Sequence, residues 1–291
     1  MHLIEEVMWE LDLLRKTRGS LEICMIATKR SGHHAFLEWV LQNRKGRYAY
    51  LNHINPRSPN LRAATFVSNS VRLQENFAHR KRHTTVLSYE NQSLEQITGS
   101  EAFKSRDKIL GKPHRRVTIL LMRDPLNTLA SAVQVVRSGK HVVTDADHWI
   151  GRLVQSWVNH AKEYLGYTSI LSRSQIPSEV MLVSYNKYLR DELYRNDLSL
   201  VLDMTSTDGL NKLSHFAKGG NTFFSDKMSY SPDISRLESR WEIVKDDPLF
   251  LKFLLDNELQ ELAKQFYARL ETNELAAALE ILTHNAKATY G

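Results

Sequence analysis

The sequence predicts an α/β protein: three layers, a mostly parallel sheet flanked by helices, and a helical C-terminal part. Three observations predict it. Short apolar runs of the kind buried on both faces recur along the chain. Segments of helical period stand between them, and that alternation implies a parallel sheet covered on both sides. The length of 291 residues, 42% apolar and 25% charged, suits one large domain spanning 1–291.

The chain opens with "MHLIEEVMWELDLLRK", where Leu3, Ile4, Val7, Met8, Leu11 and Leu14 recur at helical spacing with acids between them. This predicts an amphipathic helix over 3–17. A signal peptide would need a positive start and an unbroken apolar run. Strands are expected at 21–28, 47–52, 84–89, 117–122 and 179–185. After the first strand, Phe36, Trp39, Val40 and Asn43 fall on one helical stripe, ended by Lys45-Gly46. Asp124 can cap a helix over 124–137, with Pro125 at its first position. A long helix is expected at 146–166, with Trp149, Leu153, Trp157 and Tyr164 on its apolar side. Residues 248–288 read as two helices with a break near Thr272. The segment 53–83 is too long for an ordinary connection, so it is either a functional loop or a helix without a clear period. The segment 207–240 behaves likewise.

The totals exclude some classes. Cys24 is the single cysteine and lies in an apolar strand, so no internal disulfide forms and a reducing compartment fits. No stretch is long and apolar enough to cross a bilayer. A net charge of +6 favours an anionic partner, such as a phosphorylated cofactor, an acidic glycan or nucleic acid. A basic surface with no dedicated partner carries the same charge.

"MIATKRSGHHAF" begins as a buried strand and ends as a helix. Such a turn aims backbone N–H groups and the positive pole of the helix dipole at one point, where phosphates bind. Gly32 permits close approach of the backbone, Ser31 adds a hydroxyl, and Lys29 and Arg30 add charge. A Walker loop needs a longer glycine-rich turn ending in Lys-Ser/Thr. Here His33 and His34 stand in those places. The turn therefore suits a phosphate and not a magnesium-bound nucleoside triphosphate; a tight turn with solvated cations is the plainer alternative.

A second segment, "VTILLMRDPLNTLASAV", runs strand, Arg123, capped helix, Ser131. Arg123 ends its strand at the sheet edge where open α/β folds bind ligands, and its planar guanidinium suits a phosphate. An Arg123–Asp124 pair is the plainer alternative.

Together and in this order, the two segments resemble the PAPS-dependent sulfotransferase family, a P-loop NTPase-like fold. The resemblance covers about residues 21–225. It implies that Lys29, Arg30, Ser31, Gly32, His33 and His34 cradle the cofactor's 5'-phosphosulfate. It implies that Arg123 and Ser131, eight positions apart, hold the 3'-phosphate. "WIGRLVQSWVNH" is similar to the family's Trp-containing helix. "VMLVSYNKYLRDE" is similar to its Tyr-Glu-x-Leu strand end, which places Tyr185 near the adenine, with Asn186 in place of Glu. "FAKGGNTFF", with Lys218 and Gly219, resembles the late basic-glycine loop over the 3'-phosphate.

The departures are informative. Two histidines replace hydroxyl residues in the first loop, and Ala35 stands where cytosolic members carry an aromatic. The fit is closer to the bacterial and carbohydrate branches than to the cytosolic small-molecule branch. The implied reaction is in-line transfer of a sulfuryl group from PAPS, releasing PAP, with Arg30 stabilising the leaving phosphate and no metal required. The general base is left between His53 and Glu90, with the loop histidines third; carbohydrate members carry a Glu where His53 stands. Glu90 has the alternative of capping the helix that starts near Ser93. His79 and His83 are spaced like ligands, but the cations between them disfavour zinc.

The acceptor has no readable motif. A hydroxyl or amine of an acidic glycan, a lipid-linked sugar or a small molecule is expected, and nucleic acid is not. The lack of a membrane-anchor stretch argues against a Golgi-type enzyme, and a cytoplasmic, bacterial one is expected. Two alternatives remain: a P-loop-type kinase or nucleotidase with a degenerate loop, and a non-catalytic nucleotide- or nucleic-acid-binding protein.

Overall fold

The computed structural model describes residues 20–52, 54–57, 65–68, 83–139, 143–174, 178–205, 207 and 237–290, with the backbone alone at 65–68, 108 and 109. The expected N-terminal helix over 3–17 lies outside the described residues.

Six strands form one sheet: β1 (Leu21–Ala27), β2 (Tyr48–Asn52), β3 (Thr65–Ser68), β4 (Thr84–Glu90), β5 (Arg115–Met122) and β6 (Glu179–Ser184). Their order is β3-β2-β4-β1-β5-β6. Five strands run parallel, and β3 pairs antiparallel with β2, Asn52 facing Thr65. The expected fold class is the observed one, with five of the six strands at the expected places. The exception is β3, within the segment read as a loop or helix. Four residues at a sheet edge are too short to show a period.

The order has one reversal. From β1 the chain moves to β2 on one side, and from β5 to β6 on the other. The reversal falls between β1 and β5, which makes that pair the topological switch point of the sheet.

The described helices are α1 (His33–Gln42), α2 (Leu94–Gly99), α3 (Glu101–Lys104), α4 (Arg106–Leu110), α5 (Pro125–Ser138), α6 (Ala146–Leu165), α7 (Tyr185–Arg190), α8 (Glu192–Val201), α9 (Pro248–Leu254), α10 (Asn257–Leu270) and α11 (Asn273–Tyr290). Asp124 caps α5 by accepting from the Asn127 N–H at 2.7 Å, with Pro125 at the first position as expected. In α6 the apolar side holds Ile150, Leu153, Trp157 and Tyr164, while Trp149 is only half-buried. The C-terminal segment forms three helices where two were expected. The break near Thr272 is present, and a second falls at Asp256, whose carboxylate caps α10 through the Leu259 N–H at 2.8 Å.

The chain divides into two compact units. The first comprises Met1–Ala27, Arg44–Leu120 and Ser169–Leu182. All seven residues of β1 are buried, including Glu22. A carboxylate in that position is tolerable only when paired. Glu22 accepts from Arg106 Nε at 2.7 Å and from Arg116 Nε at 2.5 Å. Arg116 reaches on to Asp107, and Arg106 also lies over the Phe103 ring at 3.9 Å. Cys24 is fully buried beside this cluster, and desolvation pushes its thiol up to about 12.

The second unit comprises Thr28–Asn43, Leu121–Thr168 and Val183–Gly291. Its aromatic core joins α1 to α7. Tyr188 meets Trp39 at 5.1 Å and Phe36 at 5.2 Å between ring centroids, and Tyr185 at 5.5 Å. The stripe on α1 is therefore anchored by an i,i+3 tyrosine pair on α7, which fixes where the preceding turn must stand.

Candidate functional site

The turn from Thr28 to Gly32 is a tight one. The Ser31 N–H donates to the Thr28 carbonyl at 3.2 Å. Arg30 has φ 71° and Gly32 φ 88°. The left-handed region costs a non-glycine residue about 1–2 kcal/mol, so the strain at Arg30 is held by its surroundings. Gly32 is forced by contact as well as by φ. A Cβ there would lie 2.5 Å from Tyr185 Cε2 and closer still to Cζ. Helix α1 then starts with Gly32 as N-cap, with no side-chain cap and no acid in its first turn. His33 and His34 occupy its first two positions, ring centroids 3.9 Å apart. Ser31 is buried, and its Oγ has no hydrogen-bond partner among the described residues.

Arg123 follows β5 and is buried. Its guanidinium donates to the Arg30 carbonyl at 3.4 Å and to the Leu237 carbonyl. Asp124 lies 3.9 Å from Arg123 Nε, a loose approach, because its carboxylate is engaged elsewhere. Asn186 Nδ2 donates to Asp124 Oδ2 at 2.8 Å, and Asn186 Oδ1 accepts from the Asp124 N–H at 2.9 Å. This reciprocal pair explains the asparagine: a glutamate would set a second carboxylate against a fully buried one.

The two sequence segments meet at Ser131. Arg30 Nε donates to Ser131 Oγ at 3.0 Å. Arg240, from a short 3-10 helix at Arg240–Ile243, brings Nη1 to the same oxygen at 3.3 Å. Asn127 Nδ2 donates to the Glu238 carbonyl at 2.7 Å, and with Arg123 on Leu237 it pins the segment carrying Arg240. Burial pushes the Arg240 guanidinium down to about 9, and the positive charges of Arg123 and Arg30 push the same way. Its Nε has no hydrogen-bond partner among the described residues. Burial also raises the Tyr185 phenol, opposed by Arg123 and Arg240; the Arg123 guanidinium lies 5.5 Å from that ring. Two guanidiniums on one hydroxyl, a third on the carbonyls of Arg30 and Leu237, and donors on Ser31 and Arg240 without partners among the described residues have the chemistry of a receptor for a polyvalent anion.

Lys29, Arg30, Ser31, Gly32, His33, His34, Arg123, Ser131 and Tyr185 all belong to the second unit. Glu90 belongs to the first, at the end of β4 in register with Ala27. It does not cap the following helix. Ser93 does so, accepting from the Gln96 N–H while the Gln96 side chain returns to the Ser93 N–H. His53, Lys218 and Gly219 lie outside the described residues.

Arg240 was not singled out in the sequence. "LESRWEIV" has no period, no glycine turn and no motif spacing that would distinguish its arginine.

No family model matches the chain, and no curated protein matches it. Among solved structures, the crystal structure of mouse sulfotransferase SULT7A1 complexed with PAP superposes with a TM-score of 0.41 at 12% identity, over 94% of each chain. Among the described residues, no helix is long and apolar enough to cross a membrane.

Proposed function

We propose that the chain is a PAPS-dependent sulfotransferase, transferring a sulfuryl group to a hydroxyl or amine of a glycan, a lipid-linked sugar or a small molecule. The observation that carries the reading is the meeting of Arg30 and Arg240 on Ser131, with Arg123 on the Arg30 carbonyl, beside an uncapped helix start. Such a site asks for two anionic groups on one ligand. One belongs at the turn and the other at the arginine cluster. The residues fit that demand: Ser31 Oγ and Arg240 Nε are buried donors without partners among the described residues.

In this reading PAPS supplies an activated sulfuryl group on a good leaving phosphate. Ser31, Gly32, His33, His34 and the start of α1 hold the 5' end, with Lys29 adding charge. Arg30 neutralises charge developing on the leaving oxygen. Arg123, Ser131 and Arg240 hold the 3'-phosphate, with Lys218 and Gly219 closing over it. Tyr185 lies beside the adenosine, backing Gly32. The acceptor proton passes to His53 or to Glu90. The whole chain acts as one catalytic domain.

Calorimetric titration with PAP, and separately with ATP and magnesium, tests the reading. PAP binding that disappears in Arg123→Ala, with weaker ATP binding, is the expected result. Magnesium-dependent ATP binding tighter than that of PAP overturns it in favour of a P-loop-type kinase.

A further inference from the structure

Helix α6 carries two buried polar side chains one turn apart that the proposed chemistry does not use. Trp157 is 1% exposed and His160 is fully buried. Trp157 Nε1 donates to the Arg123 carbonyl at 2.8 Å. His160 Nδ1 lies 3.2 Å from Thr28 Oγ1. Residues three apart share one helix face. One face of one helix therefore ties down both ligand loops: Trp157 the end of β5, and His160 the first residue of the turn.

The two segments also touch directly, Arg30 Nε on Ser131 Oγ at 3.0 Å and Arg123 on the Arg30 carbonyl at 3.4 Å, but both bonds are made from the ends of long side chains. Helix α6 is the stiffer link. It is 20 residues long, capped by Asp145 at one end and Gly166 at the other. It is braced against α10, where Trp157 meets Phe266 edge-on at 5.9 Å.

We propose that Trp157 and His160 are positioning residues that set the distance between the two anion sites, so that the protein selects a ligand with two phosphates at a fixed span. This rests on the cofactor reading above and adds a cause for its selectivity. A ligand bridging two pre-spaced sites gains the chelate advantage of an effective concentration, whereas a monophosphate gains none. Loosening α6 from either loop leaves each cradle intact and loses only the spacing.

The test compares PAP with 5'-AMP and 3'-AMP by calorimetry on the full chain. In the wild type, PAP binds on the order of 100-fold tighter than either monophosphate. His160→Ala and Thr28→Val each cut PAP affinity about tenfold and change the monophosphates less than about twofold, and together they do little more than either alone. His160→Asn, whose amide reaches the Nδ1 position, restores most of the PAP affinity. Trp157→Phe, which keeps the ring against Phe266 and removes the donor, behaves like His160→Ala. Equal losses for PAP and both monophosphates, or no loss, overturn the inference while leaving the cofactor reading standing. A wild type that binds PAP no tighter than the monophosphates overturns both.

Discussion

Tyr185 lies with its ring against Gly32, leaving no room for a side chain at the start of α1. Two independent constraints thus act on one residue, a φ of 88° and a wall. Gly32→Ala is expected to cost about 2–4 kcal/mol, combining left-handed strain with overpacking. Denaturant unfolding measures it. A loss below about 0.5 kcal/mol would mean that Tyr185 moves aside freely, and that it does not hold the turn.

Arg240 is a buried cation beside other cations, so it opposes folding and favours ligand. Arg240→Met should raise the melting temperature of the ligand-free protein, since removing an uncompensated buried charge is stabilising. The same variant should lose most of the rise that saturating PAP produces in the wild type. Thermal unfolding with and without PAP reads both signs in one experiment. A fall in ligand-free stability would show that Arg240 has a compensating partner.

The depressed Arg240 pKa, about 9, has a sign that can be measured. Below that pH Arg240 is charged both folded and unfolded, and the repulsion stands in full. As pH rises through about 9 the folded state releases the proton first, so ligand-free stability rises with pH there. A bound dianion reverses the shift, so binding near pH 9 takes up protons. Calorimetry in two buffers of different ionisation heat counts them. Zero uptake at pH 9, matching pH 7, would contradict the assignment.

Asn186 and Asp124 exchange two hydrogen bonds in the core. Asn186→Asp removes the Nδ2 donor to Asp124 Oδ2 and sets two acids together. A loss of about 3–5 kcal/mol at neutral pH is expected, recovering partly on acidification as one of the pair protonates. Urea unfolding at pH 7 and pH 5 is the check.

The Cys24 thiol should be inert toward a thiol reagent in the native state at pH 8 and react fully after unfolding, because burial holds it protonated. Rapid native labelling would place Cys24 at an accessible position.

What the sequence disclosed follows from how local each signal was. Strands β1, β4 and β5 announced themselves because central parallel strands need apolar residues on both faces. The caps at Asp124 and the turn at Gly32 are decided within four residues. Strand β3 was hidden because its partner, β2, supplies what its own four residues lack. Arg30 and Ser131 each stood in a readable motif, but their contact was not legible, because the two motifs read as cradles for different phosphates. Arg240 did not, because its only distinction is the hydroxyl it reaches, 109 residues earlier in the chain. His160 sits on a helix face that reads as core. Only the folded chain brings it to Thr28.

That separation has a consequence for how the protein is made. Synthesis delivers the turn, then Arg123 and Ser131, and only much later Arg240. A nascent chain halted between them carries two of the three guanidiniums and no strap across α5. The cluster therefore closes only when the C-terminal part of the chain has arrived. Whatever depends on all three guanidiniums is a property of the finished chain and of no shorter piece of it.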